Sequence, residues 1–587
     1  MKKTFRSLLG IALALSLILS LALCAGALEA GAADSSLKIF VASDIHYRPY
    51  SELTPLAEAK YLDDPIFHHV NTKSMLTYEG DAIIARFLAD AQAAGAKYIF
   101  LAGDQSEDGH WAEHEGLVKL LGAFQKRTGI QVFVVPGNHD VRTSESRGRL
   151  NIEDFTRLYA DFGYNQALVR REGDGSYTAE LEGGYRLLAI DAIVYRDDAS
   201  LITPELFDWI EEQLAQAQKD GKKVIAMTHY NVVDHLMIEG FFGGLLTIDQ
   251  HRRFAAMLAD AGVKYVFTGH MHANDISHAV TAKGNKIFDI QTGGLTTYPN
   301  AYREVIFSDA SVEIKTGYVD KIDTSLLPKG FSKAQIDFMK KDFPGYSLSY
   351  HRAGFRSYAG MIPDLTGTLA DALKAEKGSA GYQAIEAAVG ALTDAATLPM
   401  YGESGSVEAI AKLAGVKLDE SDYVNLLDLA GAIFARHYAG NENTPFDSLE
   451  LRLFGQAFNA VLASALAEMP VRSVNALLAA VGAPWMSIPA PGLPLTLAAK
   501  RIYMRTPAKV ITRQLVWLLG QGVFTDWSGP DDLNATLEPY GAAWPTPGRA
   551  VSTTDFGFAT DVMGLLGGMG LHAAWNFMPF HEGFFWG

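Results

Sequence analysis

The stretch Gln131-Val-Phe-Val-Val-Pro-Gly-Asn-His-Asp140 joins a β-branched, aromatic run to a polar tetrapeptide, Gly137-Asn138-His139-Asp140. The run has the composition of a buried strand, and Pro136-Gly137 ends it in a turn. Three side chains able to ligate a cation or move a proton then follow in one loop. At average residue usage such a tetrapeptide arises by chance in roughly one chain of this length in several hundred.

Outward from this loop the same construction recurs four times. Predicted strands at 37–42, 97–101, 223–227 and 264–267 run into Asp44-Ile45-His46, Gly103-Asp104, Thr228-His229 and Gly269-His270-Met271-His272. Singly each is weak, because Asp-x-His is commonly a helix cap beside a surface histidine, Gly-Asp is commonly a turn, and a lone histidine is commonly a satisfied core residue. Together, each at a strand end, they place oxygen and imidazole donors on one rim, since the strands of a sheet deliver their C-terminal ends to a shared crevice. Twelve of the 16 histidines lie between positions 46 and 278, so the imidazole is concentrated where these loops are. A mixed His, Asp and Asn set with a carboxylate free to bridge suits Fe, Mn or Zn better than Ca or Mg.

The segments between the strands carry helical patterns, as at 206–218, opened by Thr203 with Pro204 in the first turn, and at 251–261. Further strands are expected at 276–281, 286–290, 304–307 and 312–318, closing the domain as a second sheet. A linker is expected at 321–330, followed by a capping box at Ser332-Lys333-Ala334-Gln335 and an all-α region over 331–587, with helices near 382–394, 406–414, 421–437, 449–467 and 508–520. Apolar runs near 475–499 and 562–580 are broken by Pro, Gly, His or Asn, as buried helices are and membrane spans are not.

The N-terminus has Lys2, Lys3 and Arg6 before an apolar run from Leu8 to Leu23, then Ala25 and Ala27. This is the pattern of a secretory signal, assigned to residues 1–33 with cleavage after Ala27, Ala30 or Ala33. The other reading is a lipid-anchored chain starting at Cys24, the only cysteine, although Leu23 stands where a small residue is wanted. With 50 basic against 67 acidic residues the chain is acidic, a poor match for a nucleic-acid polymer. No membrane span is expected after signal removal.

The five blocks, in order, resemble the calcineurin-like metallophosphoesterase superfamily, over roughly residues 37–320. The resemblance implies an α/β fold, a four-layer αββα sandwich of two mixed sheets. It also implies two divalent or mixed-valence transition metals. Asp44, His46 and His272 would hold one, Asn138, His229 and His270 the other, and Asp104 would bridge them. His139 would be catalytic and Asp140 would orient its ring, with a metal-activated hydroxide attacking a phosphate ester. Purple acid phosphatases of this superfamily have a tyrosine where this chain has Glu107, which sets it apart from that branch. An exported catalytic domain followed by helices looks like bacterial phosphodiesterases related to the class III cyclic-nucleotide enzymes. A phosphomonoesterase or nucleotidase scavenging phosphate esters is the alternative, and a non-catalytic scaffold a third reading that the intact ligand set opposes.

The segment 47–78 is long for a strand-to-helix connection, and such loops over a rim are often functional. Lys73 within it, and Tyr230 and Asn231 after His229, are the candidates for substrate contact, followed by Tyr47, Arg48, His68, His69, Glu107, His110 and His114. For the C-terminal region, capping the cleft, dimerisation and contact with the cell envelope are equally open.

Overall fold

The computed structural model describes residues 36–142, 148–194, 199–236, 239, 246–359, 366–367, 370, 375–480, 496–522 and 533–541. The expected signal segment, Cys24 and the run at 562–580 lie outside the described residues. Among the described residues no helix is long and apolar enough to cross a membrane.

Among the described residues fifteen strands form: β1 (Leu37–Ala42), β2 (Tyr98–Leu101), β3 (Gln131–Val134), β4 (Ala167–Arg170), β5 (Tyr177–Glu180), β6 (Tyr185–Ile190), β7 (Ile193–Val194), β8 (Ala199–Ser200), β9 (Lys223–Thr228), β10 (Tyr265–Thr268), β11 (Asp275–Val280), β12 (Lys286–Gln291), β13 (Ala301–Phe307), β14 (Val312–Tyr318) and β15 (Asn534–Leu537). One sheet has the order β15-β14-β13-β1-β2-β3, the other β11-β12-β10-β9-β6-β5-β4, and β7 pairs with β8. β1, β2 and β3 are parallel, as are β6, β9, β10 and β12. The strands expected at 276–318 therefore do not close a sheet of their own. β11 and β12 join the second sheet, while β13 pairs antiparallel with β1 and carries β14 into the first.

Strand alternation explains the layers. Leu187, Ala189, Ile225, Met227, Tyr265, Phe267, Phe288 and Ile290 of the second sheet enter one core with Phe40, Phe100 and Phe307 of the first. Their neighbours Leu188, Ile190, Val224, Ala226, Val266 and Ile287 face the other way, onto Leu206, Ile210, Leu214, Phe254 and Leu258. Those residues belong to α4 (Pro204–Lys219) and α5 (His251–Asp260), which cover the outer face. On the first sheet's side α1 (Gly80–Ala93) and α2 (Trp111–Thr128) bury Ile83, Phe87, Leu117 and Leu121, and α3 (Ile152–Leu158) adds Phe155. This is the αββα metallophosphoesterase sandwich.

Ser332 caps α6 (Lys333–Lys341) through the expected box with Gln335. α7 (Phe343–Ser357) serves two cores: Phe343, Tyr346, Tyr350 and Ala353 pack into the first, and Phe355 into that of the helical region. That second core gathers Val389, Ala411, Leu429, Leu453 and Val474 from α8 (Ala380–Thr397), α9 (Val407–Ala414), α10 (Leu426–Tyr438), α11 (Leu449–Glu468) and α12 (Val471–Ala480), with Met504 from α13 (Leu497–Gly522). The chain then returns to the sandwich: β15 extends the first sheet beside β14, and Tyr540 donates to the Val224 carbonyl.

Candidate metal centre

Each predicted ligand loop begins where a parallel strand ends. The ladder between β1 and β2 continues past the strands, with Asp44 N donating to Gly103 O at 3.1 Å and His46 N to Asp104 O at 3.0 Å. The ligand residues themselves stand in left-handed backbone: Asp44, His46, Asp104, His270 and His272 have φ of 51°, 44°, 50°, 72° and 55°. Non-glycine residues rarely adopt this region, and it gathers at functional sites. At Gly137 a Cβ would lie 2.1 Å from Asp104 Oδ1, so the glycine is what lets Asn138 approach that carboxylate.

The structure brings all seven predicted ligands together and buries them. In one group His46 Nε2 lies 3.0 Å from His272 Nε2 and 3.8 Å from Asp44 Oδ1, and His272 Nε2 is 3.4 Å from the same oxygen. In the other, His229 Nε2 lies 3.1 Å from Asn138 Oδ1, 3.1 Å from Asp104 Oδ2 and 3.3 Å from His270 Nδ1, which is itself 3.2 Å from Asn138 Oδ1. Asp104 Oδ2 also lies 3.7 Å from His46 Nε2, so this one carboxylate faces both groups.

These donors fit two cations. His229 Nδ1 donates to the Ala102 carbonyl at 2.8 Å, and His46 Nδ1 faces Glu107 Oε2 at 2.9 Å. Each outer partner can only accept, so each ring carries its proton on Nδ1 and aims the Nε2 lone pair inward, the arrangement typical of metal-ligating histidines. Lone pairs of His46 and His272 directed at one point 3.0 Å apart repel unless a proton or a cation sits between them.

The charges agree. Burial raises the Asp104 carboxyl, but His229 and His139 outweigh it and hold it well below the usual carboxylate range. Burial lowers His229, yet Asp104 and Asp44 bring it up to about 9, so this pocket favours positive charge.

His139 is partly exposed, and its N–H donates to Asp104 Oδ1 at 2.9 Å. Burial of the ring brings it down to about 4, against the opposing pull of Asp104. Asp140 does not orient that ring. Its carboxylate accepts from Gly137 N (2.9 Å), Gln105 N (3.1 Å), Ser106 N (2.8 Å) and Ser106 Oγ (2.9 Å), stapling the Gly103-Asp104 loop to the Gly-Asn-His-Asp loop. The His139 ring is held by a main-chain group, the Glu107 carbonyl, at 2.5 Å from Nδ1. Burial and the Asp104 charge bring Asp140 up to about 7.

The expected substrate contacts sit elsewhere. Tyr230 is fully buried with its ring 3.8 Å from that of His270, and supports the ligand from behind. Asn231 is fully buried and donates to Gln291 Oε1 at 2.6 Å. Lys73 bonds Glu107 Oε1 at 2.7 Å. His114 is locked between Ser106, Asp140 and Tyr159. His69 lies against Glu79 and Gln335, and His68 bonds the Ala59 carbonyl. A polar loop residue read as a candidate contact from sequence alone cannot be told from one buried by tertiary packing.

Fold and ligand geometry together are similar to those of the calcineurin-like phosphoesterases, with candidate donors for two metal ions. Residues 37–274 match the family model of the calcineurin-like phosphoesterases. Among solved structures, a dimetal phosphatase from Danio rerio is similar at 13 % identity over 48 % of this chain and 95 % of its own (TM-score 0.33). Purple acid phosphatase PPD1 from yellow lupin (Lupinus luteus) seeds is similar at 12 % over 48 % of this chain and 51 % of its own (TM-score 0.32). A predicted phosphoesterase from Streptococcus pneumoniae aligns at 13 % over 48 % and 90 % (TM-score 0.20). Comparison with curated proteins gives no match.

Proposed function

We propose that this protein is an exported hydrolase of phosphodiesters, cyclic nucleotides among the candidate substrates, using two transition-metal ions of the Fe, Mn or Zn kind. The observation that carries the reading is Asp104, whose Oδ2 lies 3.1 Å from His229 Nε2 and 3.7 Å from His46 Nε2, between two sets of donors. Asp44, His46 and His272 would hold one ion, Asn138, His229 and His270 the other. Ions bound there supply Lewis acidity and make a water nucleophilic at neutral pH.

The residues of the chain do the rest. The Glu107 carbonyl holds the Nδ1–H of His139 and so fixes the direction of the ring; only the imidazolium form, protonated at both nitrogens, would donate Nε2–H to a phosphoryl oxygen or pass that proton to the departing alkoxide. Asp140 keeps the two loops that carry Asp104 and His139 in register.

Charge supports a diester. Three cations near this rim are engaged by carboxylates, Lys73 with Glu107 at 2.7 Å, Arg48 with Glu113 at 3.3 Å and Arg149 with Asp108 at 3.8 Å, and Arg142 donates to the main-chain carbonyls of Asn138 and Val141. A monoester dianion gains most from a spare cation, whereas a diester carries a single charge. Export rests on the basic start and apolar run of residues 1–33.

The test is hydrolysis of bis-p-nitrophenyl phosphate against p-nitrophenyl phosphate by the Mn²⁺-loaded protein, with His139→Ala as control. Diester turnover that disappears in the control supports the proposal. Preference for the monoester replaces it with a phosphatase, and no metal-dependent turnover on either leaves a scaffold.

A further inference from the structure

Glu107 meets two functional histidines at once. Its carboxylate Oε2 lies 2.9 Å from His46 Nδ1 and its carbonyl oxygen 2.5 Å from His139 Nδ1, beneath two rings packed edge to face at 4.8 Å. The remaining carboxylate oxygen, Oε1, accepts from Lys73 Nζ at 2.7 Å, which restrains the rotation of the carboxylate plane and so keeps Oε2 beside His46 Nδ1.

Lys73 is itself placed from outside the sandwich. Its neighbour Ser74 has φ 55° and donates through Oγ to the His351 carbonyl of α7 at 3.4 Å. Gly354 of the same helix is pressed against it: a Cβ there would fall 1.9 Å from Ser74 Oγ and 2.9 Å from its Cβ. Physical contact thus runs from α7 through Ser74, Lys73 and Glu107 to the ring of His46.

The second group of donors is held differently. His229, which faces Asp104, Asn138 and His270, has its Nδ1 locked by the main-chain carbonyl of Ala102 at 2.8 Å. A carboxylate makes the opposite ring nitrogen a stronger donor than a carbonyl does, and it can be removed by substitution. The two sites are therefore unequal in how their imidazoles are set.

We propose that Glu107 is a positioning residue for one cation only, the ion at Asp44, His46 and His272, and that Lys73, seated by α7 through Ser74 and Gly354, holds it in position. The proposal rests on the two-metal reading above. Losing an outer carboxylate of this kind lowers metal affinity about 10–100-fold. The site on Asn138, His229 and His270 keeps its affinity, because nothing in its lock involves the Glu107 side chain.

The experiment is calorimetric titration of the metal-free full chain with Mn²⁺, followed by electron paramagnetic resonance at one and two equivalents, for the wild type, Glu107→Gln and Lys73→Met. Wild type is expected to take two ions and show the spectrum of a coupled pair. Glu107→Gln is expected to keep one site unchanged, weaken the other about 10–100-fold, and show at intermediate Mn²⁺ the six-line signal of an isolated ion. Lys73→Met, at a half-buried position on the loop surface, is expected to fold and to shift the same site in the same direction by less. Two ions with wild-type affinities in both variants would overturn the positioning role alone. So would equal weakening of both sites. A wild type that binds fewer than two Mn²⁺ would instead remove the two-metal reading, and this proposal with it.

Discussion

Asn274, two residues beyond His272, donates both its main-chain N–H (3.2 Å) and its side-chain amide (3.3 Å) to the carbonyl of Tyr438 at the end of α10. Its Oδ1 accepts from Gly293 N at 3.1 Å, so one side chain ties the last ligand loop to the helical region and to the turn beyond β12. Asn274→Ala removes two bonds in a buried setting, and a loss of about 1–3 kcal/mol is expected. Chemical denaturation measures it; an unchanged midpoint would mean the helical region does not brace this loop.

The first two helices after residue 330, α6 and α7, share the hydrophobic core of the sandwich. Met339, Phe343, Tyr346, Tyr350 and Ala353 are buried against the sandwich, and Tyr346 bonds the buried Glu79 at 2.7 Å. At about 1.5–3 kcal/mol for each large side chain, their loss removes as much as a typical domain's whole stability. A chain ending at residue 330 is therefore expected to be insoluble or unfolded, as circular dichroism would show. A soluble, cooperative fragment would refute the shared core.

Asp140→Asn distinguishes a loop staple from a ring-orienting residue. Its carboxylate accepts four donors, so an amide nitrogen there would face N–H groups. Thermal stability and phosphoesterase activity are expected to fall together, with stability lower by about 2–4 kcal/mol. Loss of activity at wild-type stability would restore the orienting role.

Asp104 is the carboxylate that faces both groups of donors. Asp104→Ala is expected to abolish the rise in melting temperature that Mn²⁺ gives the wild type, because ions that bind only the folded chain stabilise it by mass action. His270→Ala, which touches one group, is expected to keep part of that rise. Equal responses in the two variants would count against a bridging position.

Acid lability should begin near neutrality. Burial brings His114 down to about 4, His351 to about 3 and His437 to about 4, so each is held neutral in the fold and takes up a proton on unfolding. For groups depressed from 6.5, the stability they contribute is complete above pH 6.5 and is lost as pH falls toward 4. At about 1.4 kcal/mol per tenfold change in proton affinity, His114 alone accounts for roughly 3 kcal/mol at pH 4. Melting temperatures of the metal-free protein from pH 8 to pH 4 test this, and a flat profile between 6.5 and 4.5 would contradict it.

The ligand set was legible because it is local: each strand and the loop it feeds are neighbours in sequence, and alternation marks the strand ends. Glu107 shows the limit. In sequence it stands out only as a polar loop residue in place of the tyrosine of purple acid phosphatases, since its contact with Lys73 spans 34 residues and no periodicity reports that meeting. Tyr230 and Asn231 follow a ligand in sequence, yet the turn of the chain buries both. The strands β4, β5 and β6 were not anticipated, and β15 contacts β14 across more than two hundred residues.

By itself, then, the order of residues determined which side chains could ligate, at which strand ends they stand, and that helices follow the sandwich, because composition and period are short-range properties. Tertiary structure alone decided that Asp140 staples loops, that Tyr230 and Asn231 are buried behind the ligands, and that α7 reaches His46 through Glu107. Those relationships depend on contacts between segments far apart along the chain, and distance along the chain carries no record of distance in space.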